Sequence, residues 1–332
     1  MRLVFDIQSL QNDSRLRGIG RYTHSLISSI VQQDTSHEIV LLLNGSVGED
    51  QDKLIAELES QIPGVQCVVC SLPAPTAAYD PANFLRRSLA ELVREAFITE
   101  LRPDLVHVFS MMEGYGDNVV TSIGRTETHY PTTATFFDLI PLLNPGEYLE
   151  TNKVFKRHYQ AQLAHLKCAD GLLAISHFSA GEAAEHLGYP KENVAVALLG
   201  PLASPEKAGA DTQDVDTLRE LGLSPGFLLY VGGSDPRKNL PRLVEAWSTL
   251  PGDLQREHAL VLVGSMPDQD VLNLKLIAEK KSASPEGLRF PGQISDEALK
   301  HLLSIAVHLF FHLGTKVSGC QRLRQWRSEL PR

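Results

Sequence analysis

Two adjacent cations, Arg237 and Lys238, follow a glycine pair, Gly232 and Gly233, in the stretch LLYVGGSDPRKNLPRLVEAW. The apolar run before the glycines is short and bounded by turn residues, as a buried parallel strand requires. After the cations, Leu240, Leu243, Val244 and Trp247 fall on one face of a helix. Glycines let the backbone approach a ligand closely, and a helix start offers free N–H groups with a partial positive charge. Strand, glycines, two cations and helix start together compose an anion site, most simply a phosphate site. The alternative is an ordinary βα turn with a solvated Arg-Lys pair.

Other strand ends carry polar residues as well. SRLRGIGRYT holds Gly18 and Gly20 near a helix start, with Arg17 and Arg21 beside them. It lacks the third glycine of a dinucleotide fingerprint. One glycine turn in each of two domains, facing across a cleft, would clamp a diphosphate. His107 and Ser110, Asp138 in FFDLIP and Ser176 in AISHFS complete the set. Asp and Ser are also favoured caps and turn formers, so a structural role stays open for each. Cys67 and Cys70 form a C-x-x-C, but VQCVV reads as a strand, which points them to opposite faces. That geometry is poor for a shared metal, the histidines are scattered, and no metal is implied.

The elements that must position these residues alternate along the 332-residue chain. Strands are expected in MRLVFDI, HEIVLLLN, PDLVHVFS, TTATFFDLIPL, DGLLAIS and NVAVALLG. Helices are expected in RGIGRYTHSLISSIVQQ, NFLRRSLAELVREAFITEL, NKVFKRHYQAQLAHLKCA and HFSAGEAAEHLG. PLASPEKAGADTQDVDT breaks the rhythm as a linker does. It resumes with FLLYVGG, HALVLVGS, the helix DQDVLNLKLIAEKK, LRFPG and the helix SDEALKHLLSIA. The expected fold is α/β with two Rossmann-like domains, 1–205 and 223–312, a linker at 206–222 and a basic tail at 313–332. A net charge of −9 argues against a nucleic-acid-binding surface. No signal peptide or membrane-spanning apolar run is apparent, so a cytoplasmic protein is expected, with membrane contact only peripheral, at the inner face.

These stretches carry a resemblance. The chain resembles glycosyltransferases of the GT-B fold, specifically the large retaining family 4, from Met1 to about Phe311. GGSDPRKNLPRLVEAW and LVLVGS…FPGQISDEALKHLL are similar to that family's donor domain. FDIQSL…SRLRGIGRYTHSL and ATFFDLIPLL…DGLLAISHFSA are similar to its acceptor domain. The resemblance implies a retaining hexosyltransferase that takes a sugar from a nucleotide-diphosphate sugar. The implied acceptor is a saccharide or lipid-linked saccharide in surface polysaccharide synthesis. No metal or other cofactor is implied, and GDP-mannose is the family-weighted donor. On this likeness Arg237 and Lys238 hold the diphosphate, with Gly18, Gly20, Gly232 and Gly233 in the adjoining loops. The segment from Gly292 to Glu297 flanks the base. Asp138 binds the acceptor or the transferred sugar as the candidate catalytic residue, with His107 and Ser176 on the acceptor side. One departure is Phe137, which stands where many members carry a histidine before this aspartate.

The physical account agrees. Breaking a sugar–diphosphate bond develops negative charge on the leaving oxygen, which fixed cations and N–H donors stabilise. A carboxylate near the sugar ring stabilises the positive charge developing there. Two other readings stay open: a non-catalytic remnant that binds nucleotide or acceptor, and a GT-B nucleotide-sugar epimerase. Donor turnover by the purified chain separates transferase from remnant.

Beyond this point the family's donor domain continues with a motif like EGFGLPALEAM, whose two glutamates hold the sugar and ribose. Here the chain reads HLFFHLGTKVSGCQRLRQWRSELPR, with Glu329 as its one glutamate and Lys316, Arg322, Arg324, Arg327 and Arg332 as its cations. Permitted codons for HLGTKVSGCQRLRQW, read two bases out of step, spell PWHEGFGLPALEAM. The expectation is a frameshifted tail that leaves the donor domain incomplete and the chain poorly active and poorly soluble. A genuine divergent terminus is the alternative. Sequencing the gene decides: the codons after Phe311 should spell that motif in the shifted frame, and restoring the frame should recover activity and solubility. Any other codons make the tail native.

Overall fold

The computed structural model describes residues 1–33, 36–48, 50–198, 218, 221–281, 283, 287–306 and 308–310. The chain divides into two compact units, Met1–Leu199 and Gly200–Arg332. Most of the expected linker, and all of the basic tail at 313–332, lie outside the described residues.

In the first unit seven strands form one sheet: β1 (Arg2–Asp6), β2 (Glu38–Asn44), β3 (Val65–Cys70), β4 (Leu105–Val108), β5 (Thr132–Phe136), β6 (Gly171–Ala174) and β7 (Val194–Val196). Their order is β3-β2-β1-β4-β5-β6-β7, and every neighbouring pair is parallel. β2 is buried from Ile39 to Asn44, which is why its sequence is apolar without alternation. The chain reverses its direction of travel across the sheet at β1 and β4, the place where such sheets open a crevice at their carboxyl edge.

The helices are α1 (Gly18–Gln33), α2 (Gln51–Gln61), α3 (Phe84–Glu100), the single turns α4 (Ile140–Leu143) and α5 (Pro145–Tyr148), α6 (Lys153–Leu166) and α7 (His177–Leu187). Ile27 of α1 and Leu54 and Leu58 of α2 pack with Leu3, Phe5, Leu41 and Leu43 on one sheet face. Ala90 and Ile98 of α3, Tyr159 and Leu163 of α6, and Ala183 and Leu187 of α7 pack with Val4, Leu42, Val106 and Val108 on the other. The sequence pattern had left 51–61 without an element. It is helical because Asp50 caps it, accepting from the Lys53 N–H at 3.1 Å, although only Leu54 and Leu58 are buried. Cys67 packs with the first face and Cys70 with the second. Burial pushes both thiols up to about 11.

The inward face of α3 is charged. Arg94 donates through Nε to Asp6 Oδ2 at 2.7 Å and through Nη1 to the Ser122 carbonyl at 3.0 Å. Glu95 accepts from the Ser122 hydroxyl at 2.6 Å and from the Arg125 and Thr126 N–H groups at 2.7 and 3.0 Å. Arg87 donates to the carbonyls of Gly114 and Val119, and Glu91 meets Arg125 at 3.1 Å.

The second unit holds β8 (Leu228–Val231), β9 (Leu260–Val263), β10 (Leu288–Gly292) and β11 (His308–Phe310), all parallel in the order β10-β9-β8-β11. Its described helices are α8 (Leu240–Ser248), α9 (Gly252–Glu257), α10 (Asp268–Lys280) and α11 (Asp296–Ile305). Tyr230, Leu243, Val244, Trp247, Leu262 and Leu274 form the core on one face. Phe227, Leu229, Val261, Val263 and Leu302 form it on the other. Trp247 keeps its indole N–H satisfied by donating to the His258 carbonyl at 2.9 Å.

His107 lies inside β4 and not beyond its end, which corrects the expected placement. Its Nδ1 and Nε2 are each 2.8 Å from a β5 hydroxyl, those of Thr133 and Thr135. Burial pushes the imidazole down to about 4. The unfolded chain binds this proton near pH 6.5 and the folded chain does not, so stability is full above that pH and is lost as pH falls toward 4. The loss attributable to this one group reaches about 3 kcal/mol. Urea titrations across this range should show that slope, and His107→Gln, which can still bond both threonines, should flatten it. An unchanged slope in the variant would remove His107 from the account.

Candidate functional site

In the second unit three glycines line the carboxyl edge of the sheet. Gly232 follows β8 with φ +151°, Gly264 follows β9 with φ +138°, and Gly292 ends β10 with φ +74°. Gly232 N–H donates to the Val263 carbonyl at 2.8 Å, and Gly264 N–H donates to the Gly292 carbonyl at 2.9 Å. A Cβ on Gly264 would sit 2.2 Å from the Gly232 oxygen, and one on Gly232 would sit 2.8 Å from the Tyr230 hydroxyl. Only glycine lets these backbones meet so closely in the left-handed region. Gly233 has room for a Cβ; its carbonyl accepts from the Tyr230 hydroxyl at 2.8 Å. Gly264 was missed in the sequence, where it follows VLV as an isolated glycine.

The cations stand differently from expectation. Pro236–Lys238 is a short 3-10 turn, closed by the Lys238 N–H donating to the Asp235 carbonyl at 2.8 Å. Asn239, at φ +49°, then turns the chain into α8. Arg237 and Lys238 therefore precede the helix by a left-handed residue. Pro241, in the first turn of α8, supplies no N–H, at a position where that N–H would have no partner within the helix. Lys238 is half-buried, and the Arg237 side chain is not among those described. Ser234 donates to Asp270 of α10 at 2.5 Å, which pins this loop from the other side. Glu297 is exposed in the first turn of α11, whose cap Ser295 accepts from the Ala298 N–H at 3.1 Å.

In the first unit the carboxyl edge is knitted by Glu113. It accepts from Ser14 at 2.9 Å, Asn12 at 2.9 Å and Ser110 at 3.1 Å, which joins the loop after β4 to the loop before α1. Gly18 is the exposed first residue of α1, with open space where a Cβ would lie. Gly20 is buried against the preceding turn, and a Cβ there would lie 2.2 Å from the Arg15 oxygen. Gly20 thus answers to packing, and Gly18 is the glycine a ligand can approach. Tyr22 of α1 meets Phe137 edge-on, ring centroids 5.7 Å apart, and so sets the turn after β5 beside α1.

Asp138 accepts from the Ile140 N–H at 3.0 Å, an Asx turn that starts α4. Its charge also reaches Glu182 of α7. Burial, foremost, and then Asp138 hold the Glu182 carboxyl above the usual carboxylate range, and its buried Oε2 has no hydrogen-bond partner. Burial raises the Tyr159 hydroxyl on α6 as well, with Asp138 and Glu182 adding to the shift. Two carboxyl groups in one place offer several acceptor oxygens to a sugar hydroxyl. Ser176 serves as the cap of α7, accepting from the Ser179 N–H at 3.0 Å, and Ser179 donates to the Phe137 carbonyl at 2.8 Å. Ser176 thus steadies the Asp138 turn from behind. Of the acceptor-side residues named from sequence, Asp138 and Ser176 come to this edge and His107 does not. Glu113 and Glu182 were missed; the signal for Glu182 is a carboxylate on the buried face of α7 shared with Ser179, Ala183 and Leu187. Among the described residues, no His, Cys, Asp and Glu cluster could hold a metal ion, and no helix is long and apolar enough to cross a membrane.

The model of Glycosyltransferase Family 4 matches residues 16–200, and that of Glycosyl transferases group 1 matches residues 219–316. The serotype-specific mannosyltransferase WbdA of Escherichia coli is 28% identical over 331 residues, covering 98% of this chain and 39% of that protein. The O-antigen chain mannosyltransferase B of Escherichia coli is 27% identical over 176 residues, covering 52% of this chain and 44% of that protein. The chain spans about two fifths of the length of the curated relatives it matches. Among solved structures, WaaG, a glycosyltransferase involved in lipopolysaccharide biosynthesis, aligns with TM-score 0.62 at 15% identity, over 94% of this chain and 75% of that one. Anabaena Alr3699/HepE, in complex with UDP and glucose, aligns with TM-score 0.59 at 15% identity, over 93% of this chain and 73% of that one. The fold is thus GT-B, built from Rossmann-like units. With the first family model covering more than half of the chain and the second most of the remainder, the chain belongs to glycosyltransferase family 4.

Proposed function

We propose that the chain acts as a retaining mannosyltransferase module, taking mannose from GDP-mannose and transferring it to a saccharide or lipid-linked saccharide acceptor of a surface polysaccharide. Family membership supports the reaction class. The mannosyltransferase relatives support the sugar. The observation that carries the donor side is the edge formed by Gly232, Gly264 and Gly292, with Lys238 in the turn that follows. Close backbone and an adjoining cation suit a diphosphate without a metal ion. On this reading Arg237 and Lys238 neutralise the leaving diphosphate, and Glu297 and the backbone around Gly292 flank the base. On the acceptor side, Asp138 faces the transferred sugar or the attacking hydroxyl, and Glu182 is its neighbouring carboxyl group. The work then takes place on the cytoplasmic side, where nucleotide-sugars are made. Nucleotide binding is the assay that isolates the cation pair.

Calorimetric titration of GDP and UDP into the wild-type chain and into an Arg237→Ala/Lys238→Ala variant tests the donor side. Loss of two charge-assisted contacts should weaken binding by about 3 kcal/mol. Equal affinity in the two proteins would return the pair to the solvated-turn reading.

A further inference from the structure

Helix α3 carries its polarity reversed. Arg87, Glu91, Arg94 and Glu95 are buried on its inner face, while Leu85 is 78% exposed, Leu89 52% and Leu92 39%. Ala96 is exposed beyond them and Thr99 is half-buried, so the outward row runs Leu85, Leu89, Leu92, Ala96, Thr99. Its steps alternate four and three, an average of about 3.5 residues, which is the repeat of a seam between two helices. A second helix, rather than a strand or a loop, fits such a row. Single exposed leucines are ordinary, whereas an aligned row marks an interaction surface.

The row is complementary to itself. Its first half is bulky, Leu85 and Leu89, and its second half is small, Ala96 and Thr99. Two α3 helices laid antiparallel set Leu85 against Thr99 and Leu89 against Ala96, with Leu92 meeting Leu92 at the centre. The charges agree with that arrangement. Arg86 and Glu100 stand near opposite ends of α3 and, at 3.6 residues per turn, on the same flank of the row. Both are exposed, and neither meets an opposite charge among the described residues. Arg86 Nη1 donates only to uncharged acceptors, the Pro75 carbonyl at 3.0 Å and Asn83 Oδ1 at 2.9 Å. Antiparallel pairing brings each Arg86 to Glu100 of the partner subunit, and the two helix dipoles then oppose favourably. A parallel pair would set Arg86 against Arg86. We infer that α3 pairs with α3 of a second copy of this chain, antiparallel, across a two-fold axis at Leu92. Such a contact is isologous and closes at two copies. Helices in a parallel sheet run opposite to the strands, so the carboxyl edges of the two first units point to opposite ends of this pair. Neither α3 edge then obstructs the other, and the inference does not rest on the transferase reading.

Sedimentation velocity of the full chain over a range of concentrations tests this, under reducing conditions because Cys168 is exposed. A dimer and no larger species should form in the micromolar range, as a small isologous contact allows. Leu89→Ser/Leu92→Ser should raise the dissociation constant roughly tenfold or more, from lost apolar burial. Glu100→Arg should raise it roughly threefold. The exchange Arg86→Glu/Glu100→Arg should return it toward the wild-type value, since opposite charges face each other again. Circular dichroism and GDP affinity should be the same in every variant, which keeps this test separate from the donor-site test. A monomer at every concentration overturns the proposal, and so does a dimer indifferent to the leucine changes. An exchange variant no tighter than Glu100→Arg overturns the antiparallel pairing. The charge variants leave the apolar row intact, so they decide the matter should the leucine variant fail to fold.

Discussion

The contact between Arg94 and Asp6 is the constraint on which the first unit turns. Removing two charges from water costs several kcal/mol for each ion unless geometry and further hydrogen bonds compensate. Here the compensation is spread across three segments. Asp6 ends β1 and also accepts from the backbone and side chain of Gln8, while Arg94 reaches on to the Ser122 carbonyl. The end of β1, helix α3 and the loop after β4 are thereby held together. Glu95 and Arg87 extend the arrangement by satisfying backbone groups of that same loop, which runs over the sheet without regular structure of its own. Buried loop backbone needs such partners. Having given its inner face to this work, α3 keeps its leucines outside.

The second unit is built differently, with backbone rather than side chains at its carboxyl edge. Three strands end in glycines with positive φ, and the close approach of Gly232 and Gly264 excludes any side chain between them. The hydroxyl of Tyr230 and the Ser234–Asp270 pair fix the loop that follows. The backbone of this edge is therefore fixed in place by its own contacts. The first unit relies on side chains at its corresponding edge. There burial, and then the charge of Asp138, hold the Glu182 carboxyl above the usual carboxylate range.

Much of this was legible in the sequence for physical reasons. Strands buried on both faces must be apolar throughout, so HEIVLLLN and HALVLVGS announce themselves, and their alternation with helices leads to a parallel sheet with sites at its carboxyl edge. The pairing of Gly232 with a following Arg-Lys, the glycines ahead of α1 and the aspartate after β5 are local patterns that short-range chemistry imposes. Tertiary structure decided what local pattern cannot carry. Helical periodicity alone reads Leu85, Leu89 and Leu92 as a core face, yet partners distant in sequence, Asp6 and the 114–126 loop, drew the charges of α3 inward. His107 looked like a strand-end residue, but Thr133 and Thr135 on a neighbouring strand hold it within the sheet. Glu182 met Asp138 across 44 positions of sequence (182 − 138) because α7 packs back on the end of β5. Residue types and spacing set the periods and the turns; which buried charge found which partner was fixed only when segments far apart in the chain were packed together, because desolvation and ion pairing depend on three-dimensional neighbours.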